Sequence, residues 1–165
     1  MVTALTLHAD EGHLLGNAVS AIVFVTAVCR AFGSGVGMWL VLLAGVAGNA
    51  ASAAVHDPTH EAVGASTALF GALGILGALQ AWRRAEAPAR RGPWVPLAAS
   101  LGVLAMLGTG GRADLAAHFF GFAAGLGVGA AAAPLARRPP GRTAQRLLLG
   151  AALGAVVGAW MRALR

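Results

Sequence analysis

A serine hydroxyl is a poor nucleophile until a neighbouring base accepts its proton. In this 165-residue chain Ser66 lies in the run Gly64-Ala65-Ser66-Thr67, and His118 is the one strong candidate base in the later apolar stretches. Such a pair would carry out acyl transfer, a reaction that builds negative charge on a carbonyl oxygen and needs hydrogen-bond donors aimed at it. His13 and Asn17 are spaced i,i+4, so on a helix they share one face. An imidazole N–H and an amide NH2 side by side make a candidate oxyanion hole, supplemented by the backbone N–H of Ser66. Phe70, four residues after Ser66, is placed to pack against the imidazole. Asp114, four residues before His118, is expected to cap the start of a helix; orienting the imidazole is the other use open to it. Ser20, Asn49, Ser52 and Thr67 are further polar residues of the apolar stretches.

What must position these groups follows from composition. The chain is 58% hydrophobic and only 11% charged, with 24 glycines and a mean hydropathy of +0.73. A soluble domain is about one-quarter charged, so a water-soluble globule is excluded. The glycines follow no three-residue period, which excludes collagen, and the apolar content excludes disorder. Cys29 is a single cysteine, so no internal disulfide exists. About 20 apolar residues of helix cross a bilayer. Apolar runs at 14–29, 35–55, 63–82, 93–109, 113–133 and 147–161 therefore predict an all-α, polytopic membrane helical bundle of about six spans. The last run is the shortest. Its 15 residues reach only about 22 Å, so flanking arginines must snorkel. The division expected is a membrane core over 1–135, a basic cytoplasmic linker over 136–146, and an extra C-terminal helix over 147–165.

Twelve basic residues against six acidic ones give a net charge of +6 and a pI near 11.7. In a membrane protein that excess belongs to loops facing anionic lipid rather than to nucleic acid. Alternate loops place nine arginines on one side and three on the other, which marks the first side as cytoplasmic. The first helix then runs from outside to inside. His13, Asn17, Ser66 and His118 fall near the outer ends of three different helices, at similar depth, and can converge. Gly121, Gly125 and Gly129 recur every four residues after His118, and Gly71, Gly74 and Ala78 follow Ser66 at helical spacing. Two small-residue faces let helix backbones approach closely, which would bring Ser66 within reach of His118.

Together these residues resemble the rhomboid family of intramembrane serine proteases. His13-Leu14-Leu15-Gly16-Asn17 resembles the family's HxxxN motif, Gly64-Ala65-Ser66-Thr67 its GxSG motif, and Ala117-His118-Phe119-Phe120-Gly121 with Gly125 its AHxxGxxxG motif. The match runs from about Glu11 to Ala133. The resemblance implies a Ser66–His118 dyad inside the bilayer, an oxyanion hole from His13 and Asn17, and supporting packing by Gly64, Phe70, Gly121 and Gly125. It implies single-span membrane proteins as substrates, cut near the outer end of their transmembrane segments, with the lipid bilayer of a bacterial inner membrane as surroundings. No metal or organic cofactor is expected. Thr67 stands where the motif has its second glycine. The family core also has a further span and an outer loop ahead of the HxxxN helix; the expectation is a chain that starts late, at an internal methionine, or has lost that helix. A catalytically impaired relative that binds transmembrane helices is the alternative, favoured by Thr67 and the missing helix and opposed by the retained Ser66 and His118.

Other features have plainer readings. His56, Asp57, His60 and Glu61 crowd one short outer loop, and with no further ligand in sight it reads as a solvated turn rather than a zinc site. Trp39, Trp82, Trp94 and Trp160 sit near span ends as interfacial anchors. A channel or transporter would need a polar path through the whole bilayer, and the inner halves of the spans offer almost none.

Overall fold

The computed structural model describes residues 1–56, 63–87, 92, 94–107 and 114–165, with the backbone alone for 104–107. Among these residues there are six α-helices and no strand: α1 (Glu11–Phe32), α2 (Ser34–Val55), α3 (Ser66–Ala85), α4 (Trp94–Leu107), α5 (Leu115–Ala132) and α6 (Arg142–Ala163). Two short 3-10 segments, Thr3–Thr6 and Ala133–Arg137, precede α1 and follow α5. Local chemistry sets the ends. Asp10 caps α1 by accepting from the His13 N–H at 2.8 Å, which satisfies one of the donors a helix start leaves free. Gly33, at φ +86°, ends α1 and opens α2 with one residue. That left-handed conformation is open to glycine at little cost, and a side chain there would also strike Gln145.

The α3 helix is the centre of the bundle, packed most extensively on α5 and also on α2, α4 and α1. Residues 67–75 are buried without a break, the pattern of a helix covered on every side. Its inner half joins Val28, Phe32, Leu40, Ala132 and Ala133 in one core through Ile75 and Leu79. The outer helices differ. Leu15, Val19, Ile22 and Val23 on α1 are exposed, as are Leu147, Leu153 and Val157 on α6. These faces belong against acyl chains.

Among the described residues, four segments are long and apolar enough to cross a membrane: α1, α2, α5 continued through the 3-10 segment to Arg137, and α6. The α3 helix carries Ser66, Thr67, Gln80, Arg83 and Arg84 among its 20 residues; Thr67 is buried, whereas Gln80 and Arg83 are exposed towards its C-terminal end. The final helix is longer than its apolar run suggests. It begins at Arg142 and has 22 residues, about 33 Å of helix. The reason is Gln145, which turns inward: its Oε1 accepts from Gly35 N at 2.7 Å and Val36 N at 3.0 Å, and its Nε2 donates to Phe32 O at 2.9 Å. One side chain thus satisfies both helix ends at the α1–α2 turn. The linker before α6 is tied back by an Arg137–Glu86 ion pair, and the same guanidinium lies over the Trp82 ring, 4.8 Å from its centroid.

Candidate active site

Ser66 is the first residue of α3. Its N-cap is Ala65, which has no side-chain acceptor to offer, so the first N–H groups of α3 lack an intrahelical partner. His118 lies one turn into α5, fixed by the cap that Asp114 forms: Asp114 Oδ1 accepts from Ala117 N at 2.9 Å, and Asp114 O accepts from His118 N at 3.0 Å. The Asp114 carboxylate is therefore engaged at the helix start, and it also faces His56 Nε2 at 4.0 Å. Ser66 Oγ and His118 Nε2 are 3.0 Å apart, a hydrogen-bonding distance. The Phe70 ring packs on the imidazole with centroids 4.4 Å apart.

Close approach of α3 and α5 makes this distance possible. A Cβ on Gly121 would strike the Thr67 carbonyl oxygen, one on Gly125 the Gly71 carbonyl oxygen, and one on Gly129 would lie 2.6 Å from Ile75 Cα. From the other side, a Cβ on Gly74 would strike the Phe122 carbonyl oxygen. The two small-residue faces meet backbone to backbone, as in membrane helix pairs generally. Thr67 is accommodated by the same means. It is 3% exposed, and its Cγ2 fills a slot between Gly48 of α2 and Gly121 of α5, lying 2.7 Å and 3.0 Å from where their Cβ atoms would be. The absence of side chains at Gly48 and Gly121 makes room for the β-branch.

The α1 helix brings its His13–Asn17 face to the turn before Ser66. Gly64 has φ +121°, and a Cβ there would lie 2.6 Å from His13 Cε1, 2.7 Å from His13 Nε2 and 3.5 Å from Asn17 Nδ2. Glycine is required at this point by conformation and by space together. Asn17 is 8% exposed, and its Nδ2 has no hydrogen-bond partner among the described residues. A buried amide left unpaired costs about 1–3 kcal/mol, so the donor is one that an incoming acceptor would satisfy. His13 Nδ1 accepts from Ala9 N at 3.4 Å. In the neutral ring this places the proton on Nε2, the nitrogen nearer Gly64.

One part of the arrangement has no signature in the spacing of residues. His8 stacks edge-on against His13, with centroids 5.4 Å apart, and its buried Nε2 has no partner among the described residues. It precedes α1, so no helical periodicity links it to the site. Asn49, polar within a span, serves elsewhere: its Nδ2 donates to Met1 O at 3.2 Å. Of the crowded outer loop, His56 bonds back to Ser52 O at 2.9 Å, while Asp57, His60 and Glu61 lie outside the described residues.

Chemically, the cluster offers a hydroxyl on a base and, across the turn, side-chain donors on a facing helix. None of the curated proteins matches the chain, and neither does any solved structure. The family model for the Rhomboid domain matches residues 1–134. A helical membrane bundle whose first 134 residues fit that model is an integral membrane protein, and this chain belongs to the rhomboid family.

Proposed function

We propose that the protein is an intramembrane serine endopeptidase. Ser66 Oγ attacks the scissile carbonyl while its proton passes to His118 Nε2. The tetrahedral oxyanion is held by Asn17 Nδ2, His13 Nε2–H and the Ser66 backbone N–H, at the positive end of α3. Collapse breaks the C–N bond, and His118 returns the proton to the leaving amine, leaving an ester on Ser66. Water, deprotonated by His118, then attacks that ester and releases the acid and the free serine. No metal or organic cofactor enters the scheme.

The observation that carries this reading is the 3.0 Å Ser66–His118 contact, set across a turn from an unpaired buried amide. The substrates are single-span membrane proteins cut near the outer end of their transmembrane segment. A helix ties up its own carbonyls, so the segment must unwind locally, and helix-destabilising residues beside the scissile bond favour cleavage. The membrane is a bacterial inner membrane, with the site towards its outer face.

The test is cleavage of a single-span substrate by the reconstituted protein, together with labelling by a fluorophosphonate probe. Wild-type protein is expected to cleave and to take the label, and Ser66→Ala and His118→Ala to do neither while inserting normally. Cleavage by Ser66→Ala at the wild-type rate overturns the mechanism. A wild-type protein that binds the substrate helix but takes no label is a helix-binding relative without catalysis.

A further inference from the structure

Residues 142–163 lie beyond the segment that fits the family model, yet α6 reaches the outer end of the molecule where the candidate site lies. Its inner half is pinned to the bundle by Gln145 and by Trp39, whose Nε1 donates to Leu148 O at 2.9 Å. Near its C-terminal end Trp160 Nε1 donates to Thr6 Oγ1 at 2.9 Å. The Thr6 hydroxyl in turn donates to Thr3 O at 2.8 Å, closing the 3-10 turn Thr3–Thr6 on itself. An indole N–H at a membrane interface commonly faces water or headgroups; here it is committed to one side chain.

That turn holds the chain leading to the candidate nucleophile. Ala4 O accepts from Gly64 N at 2.9 Å, two residues before Ser66. Leu5, within the same turn, is buried in the core with its Cδ1 against Gly45. Gly64 is the residue whose freedom is widest, and its φ of +121° keeps its Cα hydrogen facing His13. If Ala4 moves, Gly64 is free to rotate, and both the Ser66 N–H and the fit of α1 against the turn move with it.

We propose that Trp160 and Thr6 are positioning residues for Ser66, with α6 acting through the 3-10 turn and the Ala4–Gly64 hydrogen bond. This rests on the reading of Ser66 as the nucleophile. Trp160→Phe removes the donor and keeps an aromatic ring; Thr6→Val removes the hydroxyl and keeps the shape; Thr6→Ser restores the hydroxyl. The readouts are the rate of fluorophosphonate labelling, the split between kcat and KM on a single-span substrate, and hydrogen–deuterium exchange of the segment around Gly64.

Trp160→Phe and Thr6→Val are each expected to label about three- to tenfold more slowly, the range of one net hydrogen bond, with kcat lowered, KM unchanged and exchange at Gly64 faster. Thr6→Ser keeps the wild-type rate. Both substitutions break the Trp160–Thr6 bond, and Thr6→Val also removes the Thr6–Thr3 bond, so the double variant is no slower than Thr6→Val alone. Wild-type labelling in both single variants, or rate losses that multiply in the double variant, overturns the proposal. If wild-type protein takes no label, the reading of Ser66 falls and exchange decides the coupling alone: acceleration at Gly64 in both variants upholds it, and an unchanged rate overturns it.

Discussion

Gly121→Ala tests whether the serine and histidine are held together by backbone contact between α3 and α5. An added Cβ would lie 3.0 Å from both the carbonyl carbon and Cγ2 of Thr67, and closer still to the Thr67 carbonyl oxygen. Ordinary carbon contact begins near ~3.5 Å, so the helices must part by at least about 0.5 Å at this level, and by more to clear the oxygen. No flexible side chain can yield instead, because the obstruction is the α3 backbone. The displacement acts one turn from His118. It stretches the 3.0 Å Ser66–His118 contact towards ~3.6 Å, where a hydrogen bond is lost. Overpacking of this kind costs roughly 1–3 kcal/mol of stability, whereas misplacing a reacting group by about 1 Å costs on the order of a hundredfold in rate. Cleavage and fluorophosphonate labelling of the reconstituted protein should therefore fall about a hundredfold while the protein remains folded at the assay temperature. Gly127→Ala is the control within the same helix, since a Cβ there meets nothing within 4 Å. Wild-type labelling in Gly121→Ala, or an equal loss in Gly127→Ala, refutes the argument.

Other substitutions separate chemistry from stability. Asn17→Leu removes an unpaired buried donor, so thermal stability should hold or rise, while kcat drops on the order of a hundred- to a thousandfold with little change in KM; an unchanged kcat would remove Asn17 from the oxyanion site. Gly64→Ala forces a side chain onto His13 at a φ of +121° and should lower both labelling and melting temperature, and a protein equal to wild type in both would show that the turn is not held as described. Gln145→Leu strips the acceptor from two backbone N–H groups and should destabilise the protein by about 2–4 kcal/mol in a denaturation series, with less than 0.5 kcal/mol disproving its role at the α1–α2 turn. Gly154→Ala, on an α6 face where a Cβ meets nothing within 4 Å, should leave the melting temperature where it was.

Much of the architecture was legible in the residues themselves, because a bilayer makes length and apolarity decisive. Runs such as 35–55 could only be helices, and arginine placement ordered their ends. The i,i+4 spacing of His13 and Asn17 put them on one face, and the four-residue glycine repeat announced close packing. These are local periodicities, which a chain displays without folding. What spacing could not show is which partner each face meets. Residues 142–146 read as linker because they are polar, and they are helix because Gln145 finds its partners more than a hundred residues away in sequence. Thr67 reads as a crowded substitute for glycine until α2 and α5 supply Gly48 and Gly121 around its methyl group. Asn49 reads only as a polar residue within a span, and tertiary packing gives it Met1 O as a partner. The residues alone determined a helical membrane bundle and named polar groups that could meet within it. The 3.0 Å between Ser66 and His118, the unpaired amide of Asn17 and the strut from Trp160 to Gly64 were decided by tertiary packing, since each depends on distances between helices that no local pattern encodes.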